Sequence, residues 1–194
     1  LTGFLVSAGL RGWLFTPEIT KEIALLADRF AEVLDQTEDI KKIAENLHNY
    51  RGYLFTGRGK YYPVALEGAL KLKEIAYVHA EGYAAGELKH GPIALIDEDM
   101  VNVAIVGPEL RDKAISNVEE VKARRGVIVG IGQSDDRFFK SICDYYIPID
   151  FNGLTHTSPL LVNLALQLFS YYLALFKGTD IDKPRNLAKS VTVE

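Results

Sequence analysis

The stretch "VNVAIVGPELRDKAISNVEEVKARRGVIVGIG" (residues 101–132) contains two apolar runs on either side of a charged segment. The outer runs, residues 101–107 and 127–132, have the continuous apolar character of strands that are buried on both faces. The segment between them, residues 109–124, is predicted to be a helix. A strand, a helix and a second strand in this order predict an α/β fold with a parallel sheet that helices cover on both faces.

The same alternation continues outward along the chain. "GYLFTG" (52–57) and "YYIPI" (145–149) are predicted strands, and residues 62–79 and 157–176 are predicted helices. Residues 1–50 are predicted to form a helical arm before the main domain. In this arm Thr16 caps a helix whose first residue is Pro17, and Thr37 caps another that runs to residue 48.

Composition excludes several classes of function. The chain has 194 residues, of which 48% are hydrophobic and 25% charged, as in a soluble globular protein with a full core. The net charge of −4 offers no basic surface for nucleic acid or for an anionic membrane. The longest apolar runs fall far short of the roughly 18 residues that span a membrane, so no membrane-spanning segment is predicted.

Cysteine and histidine usage points to a reducing environment without a metal site. Cys143 is the only cysteine, so no disulfide can form within the chain, and a cytoplasmic location is expected. The four histidines and this cysteine lack zinc-type spacing, and no motif calls for a cofactor. Because the only methionine is Met100 and the chain opens on Leu1, we expect it to be the C-terminal piece of a longer polypeptide.

"GRGKYY" (57–62) follows the first predicted strand and precedes a helix, which is a position where backbone N–H groups can face a phosphate. It lacks the Lys-Ser/Thr pair of a P-loop, and Tyr62 stands where a dinucleotide fingerprint needs its third glycine. A tight strand-to-helix turn is therefore favoured over a nucleotide site.

"LEGALKLKEIAYVHAEGYAAGELKHGP" (66–92) is the most informative stretch. On a helix, Glu67, Lys71 and Glu74 share one face, which is typical of surface ion pairs. Two observations favour a functional interpretation: the surroundings are apolar, and the helix starts at the carboxyl end of a strand, where open α/β sheets hold ligands. Glu87, Lys89 and His90 follow in a loop between glycines.

The C-terminal tail, "GTDIDKPRNLAKSVTVE" (178–194), presents one lysine, Lys189, among apolar residues. Either the apolar strip simply docks on the domain, or its docking carries Lys189 into a cleft. A lysine becomes a nucleophile when its amine loses the proton, which burial or a neighbouring cation promotes.

Together, the 66–92 stretch and the lysine-bearing tail closely resemble the glutamine–fructose-6-phosphate aminotransferases (isomerizing), also called glucosamine-6-phosphate synthases. The match covers the second half of their isomerase region. It implies a flavodoxin-like three-layer sandwich, the sugar isomerase (SIS) fold, in a homodimer that converts fructose 6-phosphate and ammonia into glucosamine 6-phosphate. It also implies a division into the arm (1–50), a second SIS subdomain (51–178) and the tail (179–194).

The resemblance also implies the roles of five residues. Glu74 matches the base that moves a proton between C1 and C2, and Lys71 matches its neighbouring active-site lysine. His90 matches the histidine linked to ring opening, which the partner subunit supplies. Lys189 matches the lysine that forms an imine with the open-chain ketose, and Ala188 matches a substrate-binding residue. Leu187, Val191 and Val193 are expected to pack the tail so that Lys189 enters the sugar site.

Departures from the family pattern limit what this chain can do alone. The N-terminal cysteine of the glutaminase half and the Ser/Thr-rich phosphate cradle of the first SIS subdomain are missing from the sequence. We therefore expect an incomplete site that needs those upstream domains. The alternatives are a non-catalytic sugar-phosphate-binding module that regulates a partner, and an isomerase or deglycase for other amino-sugar phosphates.

Overall fold

A five-stranded parallel sheet forms the centre of the protein in a computed structural model, which describes residues 16–187. The strands are β1 (Gly52–Gly57), β2 (Ala80–Ala84), β3 (Met100–Val106), β4 (Val127–Gln133) and β5 (Tyr145–Ile149). They lie in the order β2-β1-β3-β4-β5, with every neighbouring pair parallel. The predicted α/β fold with a parallel sheet is confirmed.

Six α-helices accompany the sheet in the described part of the chain. They are α1 (Pro17–Leu34), α2 (Thr37–Leu47), α3 (Tyr61–Ala76), α4 (Arg111–Lys122), α5 (Arg137–Ile142) and α6 (Ser158–Phe176). Alternate side chains of each strand enter different cores. Tyr53 and Phe55 of β1 pack with α2, α3 and α6, whereas Leu54 packs with α4 and α5 on the opposite face. The predicted three-layer arrangement follows from this alternation.

The strand β2 was not predicted from the sequence. Its residues, "AEGYA", are neither an apolar run nor a regular alternation, and they lie at the edge of the sheet beside β1. Gly82 is required there because a Cβ at this position would lie 2.7 Å from the Cα of Leu66 in α3. Close packing of the strand against α3 therefore explains a glycine that weakens the sequence signal for a strand.

The boundaries of the five predicted helices among the described residues agree with the structure to within three residues, whereas α5 was not predicted. The Thr16 side chain accepts a hydrogen bond from the backbone N–H of Ile19, and Pro17 begins α1, as predicted. Thr37 was predicted as a cap but is the first residue of α2, and Gln36 precedes it. The helix α3 ends at Ala76 rather than at residue 79 because Tyr77 adopts a left-handed conformation with φ 55°.

The described part of the predicted arm packs against the main domain. Ile40, Ala44 and Leu47 of α2 are buried in the same core as α3 and α6. Val33 of α1 joins this core near its C-terminal end. Residues 16–47 therefore share their hydrophobic core with the sheet.

The helix α6 is long and apolar enough, by length and composition, to cross a membrane, which the sequence analysis did not anticipate. An 18-residue stretch of α6 has a mean hydropathy of 1.6, and 44% of that stretch is buried in the protein. Its buried residues pack against α2, α3 and the sheet. The same apolarity is what a core helix of a three-layer fold requires.

A buried carboxylate ties α1 to the start of α6. Glu22 is 5% exposed and accepts hydrogen bonds from the backbone N–H groups of Thr155, His156 and Thr157 at 2.8–3.1 Å. It also accepts one from the Thr157 hydroxyl at 2.9 Å. These donors immediately precede α6, and a negative charge near the start of a helix is stabilised by the helix dipole. Glu22 therefore acts as a capping group supplied from a different helix.

Candidate active site

The last turns of α3 bring the three predicted charged residues together. The Lys71 ammonium lies 2.7 Å from Glu74 Oε2 and 3.5 Å from Glu67 Oε1. The Lys71 and Glu74 side chains are 32% and 28% exposed, so the pair is half-buried. The helical spacing correctly predicted this shared face.

Electrostatics keep Lys71 protonated. The hydrogen bond to Glu74 is the main cause that raises the pKa of Lys71, and the charges of Glu74 and Glu67 add to it. An ammonium with a raised pKa is a poor nucleophile at neutral pH. Lys71 is therefore suited to holding and balancing the Glu74 carboxylate, and not to covalent chemistry.

The position of this cluster differs from the expectation based on strand ends. The helix α3 does begin at the carboxyl edge of the sheet, but Glu74 is 13 residues beyond Tyr61, or about 20 Å along the axis. The helix runs back across the sheet, so Glu74 lies toward the amino edge. The start of a helix does not determine the edge of the sheet at which a residue near the end of that helix lies.

A surface cavity of about 330 Å³ lies beside Glu74. It is lined on one side by Lys73, Glu74 and Tyr77, and on the other by residues 185–187 of the C-terminal segment. Leu187, which was expected to pack the tail down, is 55% exposed in this chain. Ala188, Lys189, Val191 and Val193 lie outside the described residues.

His90 lies away from this cavity. It ends a short 3₁₀ helix, Ala85–His90, that follows the carboxyl end of β2, so it is at the opposite edge of the sheet from Glu74. Its side chain is 74% exposed, and its Nε2 is 3.8 Å from Glu87. The fold of one chain thus brings Lys71 and Glu74 together but does not bring His90 to them.

The SIS domain family matches residues 46–177. The matched range includes the whole sheet, α3 with the Lys71–Glu74 pair, and α6. The chain belongs to this family.

Two related proteins share much of their sequence with this chain. It is 49% identical over 180 residues to the glutamine–fructose-6-phosphate aminotransferase (isomerizing) of Chlorobaculum tepidum, covering 90% of this chain and 28% of that protein. The enzyme of the same name from Idiomarina loihiensis is 44% identical and matches 100% of this chain and 33% of its own length. The chain thus spans a third or less of the length of these relatives.

A solved structure supports the same assignment. The C-terminal domain of glucosamine-fructose-6-phosphate aminotransferase from Francisella tularensis superposes with a TM-score of 0.79 at 39% identity. The match covers 92% of this chain and 51% of that one. The resemblance to the C-terminal part of these aminotransferases is therefore confirmed.

In this SIS domain, the "GRGKYY" segment forms the predicted tight turn. A Cβ at Gly57 would lie 2.4 Å from the Tyr61 carbonyl oxygen, so the close approach requires glycine. The Lys60 ammonium is 2.7 Å from Glu109 and also donates to the Thr155 carbonyl. The Arg58 guanidinium donates to the Asn117 side chain. Both cations of the turn are thus engaged by protein groups.

Cys143 has a structural environment in the SIS domain. Burial is the main cause that raises the pKa of its thiol to about 12, so it is not a thiolate at neutral pH. Among residues 16–187, no group of three or more histidine, cysteine or acidic residues is arranged to hold a metal ion.

Two residues with defined contacts were missed by sequence reasoning. Glu22 caps a helix more than 130 residues away in sequence, which no local pattern reveals. Tyr77 contacts the C-terminal segment, and the only local signal is a tyrosine at the end of a predicted helix. Both are identified only once the chain has folded back on itself.

Proposed function

We propose that this chain is the second SIS subdomain, with the catalytic tail, of a glutamine–fructose-6-phosphate aminotransferase. In this proposal residues 1–50 link it to a first SIS subdomain, residues 51–178 form the subdomain, and residues 179–194 form the tail. The full-length enzyme, with an additional glutaminase domain, makes glucosamine 6-phosphate from fructose 6-phosphate and ammonia released from glutamine. The similarity to glutamine–fructose-6-phosphate aminotransferases supports this activity.

The observation that carries the proposal is the shared cavity. Glu74 lines one side of it, and Leu187, two residues before Lys189, lines the other. Two residues of extended chain span at most about 7 Å, so Lys189 is tethered within reach of the cavity that Glu74 lines. A base at this cavity and an amine within reach of it are the two groups that the proposed chemistry needs.

The roles follow from the chemical steps. The Lys189 amine attacks the C2 carbonyl of the open-chain ketose, and water leaves as the imine forms. Ammonia then replaces the lysine at C2. The Glu74 carboxylate removes a proton from C1 and returns it to C2, while the proton of the C1 hydroxyl passes to the imine nitrogen, so that C1 becomes the aldehyde and C2 carries the amine. One base on a rigid helix can reach both carbons because they are adjacent.

The remaining assigned residues support these steps. Lys71, which its raised pKa keeps protonated, orients the Glu74 carboxylate through their 2.7 Å contact. Ala188 adjoins Lys189 and is assigned to substrate binding. His90 of the partner subunit assists ring opening, because histidine titrates near neutral pH. The exposure of His90 and its position at the opposite edge of the sheet from Glu74 favour this assignment and the homodimer that it requires.

The proposal places the enzyme in the cytoplasm, with sugar phosphate as its substrate. It includes no cofactor and no binding to nucleic acid or membrane. Two alternatives from the sequence are less well supported. A non-catalytic sugar-phosphate-binding module would not need an amine and a carboxylate for catalysis. An isomerase or deglycase of other amino-sugar phosphates would not need a supply of ammonia.

The test is covalent trapping in the full-length enzyme. Borohydride added with fructose 6-phosphate should reduce the imine and fix the sugar to Lys189, which peptide mass mapping of the C-terminal fragment would detect. Lys189→Arg should lose synthesis and trapping while the protein stays folded, because a guanidinium remains protonated and cannot form the imine. An unmodified Lys189, under conditions where bound open-chain substrate is demonstrated, would remove the imine from the proposal.

A further inference from the structure

Tyr77 holds the C-terminal segment against the end of α3. Its hydroxyl oxygen accepts a hydrogen bond from the backbone N–H of Arg185 at 2.7 Å. The central guanidinium carbon of Arg185 lies 4.4 Å from the centre of the Tyr77 ring, where a cation is attracted by the aromatic face. One side chain therefore engages both the backbone and the side chain of Arg185.

The backbone of Tyr77 is in a conformation that disfavours tyrosine. It follows α3 with φ 55° and ψ 34°, a left-handed position that is usually taken by glycine or asparagine. A side chain with a Cβ is strained there, and such strain is typically found where the residue has a specific use. The contacts with Arg185 are a use that glycine could not serve.

The segment that leads to Arg185 has a defined path. The Thr179 hydroxyl donates to the carbonyl groups of Ile75 and Ala174 at 2.5 and 3.1 Å, which fixes the chain beside the end of α3. The Asp180 carboxylate accepts from two backbone N–H groups further along. Asn186, with φ 64°, then turns the chain beside the cavity. Tyr77 is the last of these anchors before the segment lines the cavity with Glu74.

We propose that Tyr77 is a positioning residue that holds residues 185–187 of the C-terminal segment at the wall of the cavity that Glu74 lines. This inference rests on the proposed function for its catalytic meaning, since the residue to be positioned is Lys189. The anchoring itself does not depend on that function. Tyr77 lines the same cavity, but its proposed role is exerted through the chain that it holds and not on the reacting atoms.

The first test measures how fast trypsin cleaves the C-terminal segment of the 194-residue chain. The bond after Lys183 precedes proline and resists trypsin, so the bond after Arg185 reports on the held segment. Tyr77→Phe removes the hydroxyl and keeps the ring. Trypsin cleaves molecules in which the segment has opened away from α3, so the cleavage rate follows the population of this opened state. Loss of one hydrogen bond should raise that rate about five-fold. Tyr62→Phe, the same change on an exposed tyrosine of α3, should leave the rate unchanged.

A second variant separates anchoring from stability. Tyr77→Gly removes both contacts with Arg185. Because glycine is not strained in the left-handed conformation, the free energy of unfolding should be maintained better than for a substitution that keeps a Cβ. Cleavage after Arg185 should therefore rise more than for Tyr77→Phe. An unchanged cleavage rate in both variants would overturn the proposal.

Kinetics of the full-length enzyme then distinguish this inference from the proposed function. For Tyr77→Phe, the fraction of Lys189 trapped by borohydride and kcat should fall by about five-fold where the opened state already predominates and by less where it is minor, and Tyr77→Gly should lower both further. KM for fructose 6-phosphate should stay within about two-fold, because the variants change only how many molecules hold the competent arrangement. Faster cleavage with unchanged trapping would overturn the positioning role. Failure of trapping in the unaltered enzyme would count against the proposed function, and the cleavage rates would still decide the anchoring.

Discussion

Two glutamates on different helices of this protein have opposite environments. Glu22 is 5% exposed and receives hydrogen bonds from three backbone N–H groups and one hydroxyl at the start of α6. Glu74 is 28% exposed and, among the residues that the structure describes, receives one hydrogen bond, from Lys71. The first carboxylate is saturated with donors, and the second keeps free lone pairs beside a cavity.

The difference separates a structural charge from a chemically available one. A carboxylate that accepts several backbone N–H bonds is stabilised in its ionised form and is a weak base. A carboxylate with unused lone pairs beside a cavity can approach a substrate proton and accept it. Burial alone would have ranked Glu22 as the more unusual residue, but the hydrogen-bond partners favour Glu74 as the proposed base.

The largest effect expected from this comparison is on turnover. In the full-length enzyme, Glu74→Gln keeps the size of the side chain and removes its basicity. We expect the synthesis rate to fall by roughly 10²–10⁴, which is the usual contribution of a general base. Sugar-phosphate affinity should change by only a few-fold, and steady-state kinetics with a direct binding measurement would check both.

The matched control for this change is Glu119→Gln, on the exposed surface of α4 and on the other face of the sheet. It should leave turnover unchanged. If Glu74→Gln retained more than about half of the normal turnover, Glu74 would be only a surface charge on its helix, and its contrast with Glu22 would carry no functional meaning.

The next effect is on stability and involves Glu22. Glu22→Gln places an amide where four donors converge, so some of them lose their acceptor in a buried position. The expected loss in the free energy of unfolding is about 1–3 kcal/mol. Urea titration would measure it against Glu119→Gln, which should lie within about 0.5 kcal/mol of the unaltered chain. A loss no larger than that of the control would show that α6 does not need this cap.

The two glutamates also differ in how far the sequence could reveal them. Glu74 was predicted because its spacing from Lys71 is helical and its motif is specific to a family. Glu22 was not, since its donors lie in a loop more than 130 residues away. Similarly, the apolar runs predicted β1, β3, β4 and β5, whereas β2 depends on pairing with β1 and on close packing against α3. Local patterns predicted four strands and five helices, but contacts between distant segments decided the edge strand β2, the Glu22 cap and the course of residues 179–187.

Acid should reveal the contribution of Glu22. Although burial opposes ionisation, the hydrogen bonds from Thr157 and its neighbours together lower the pKa of Glu22 below its usual value of about 4.3. Its stabilisation is therefore fully present above that unfolded-state value and is lost as pH falls through the lower folded-state value. Asp136 also has a lowered pKa, so the informative quantity is the difference between the unaltered chain and Glu22→Gln. That difference should shrink as pH falls below about 4.3, and a difference that stays constant with pH would contradict the assigned cause.

The smallest expected effect concerns the energy of the Lys71–Glu74 pair. At 32% and 28% exposure the pair is screened by solvent, and exposed pairs contribute about 0.2–1 kcal/mol. A double-mutant cycle with Lys71→Met and Glu74→Gln should give a coupling energy in that range, which decreases with added salt. A small value fits a carboxylate that is oriented but still free to exchange protons. A coupling energy above about 2 kcal/mol would make Glu74 a structural charge like Glu22, and the base would have to be sought elsewhere around the cavity.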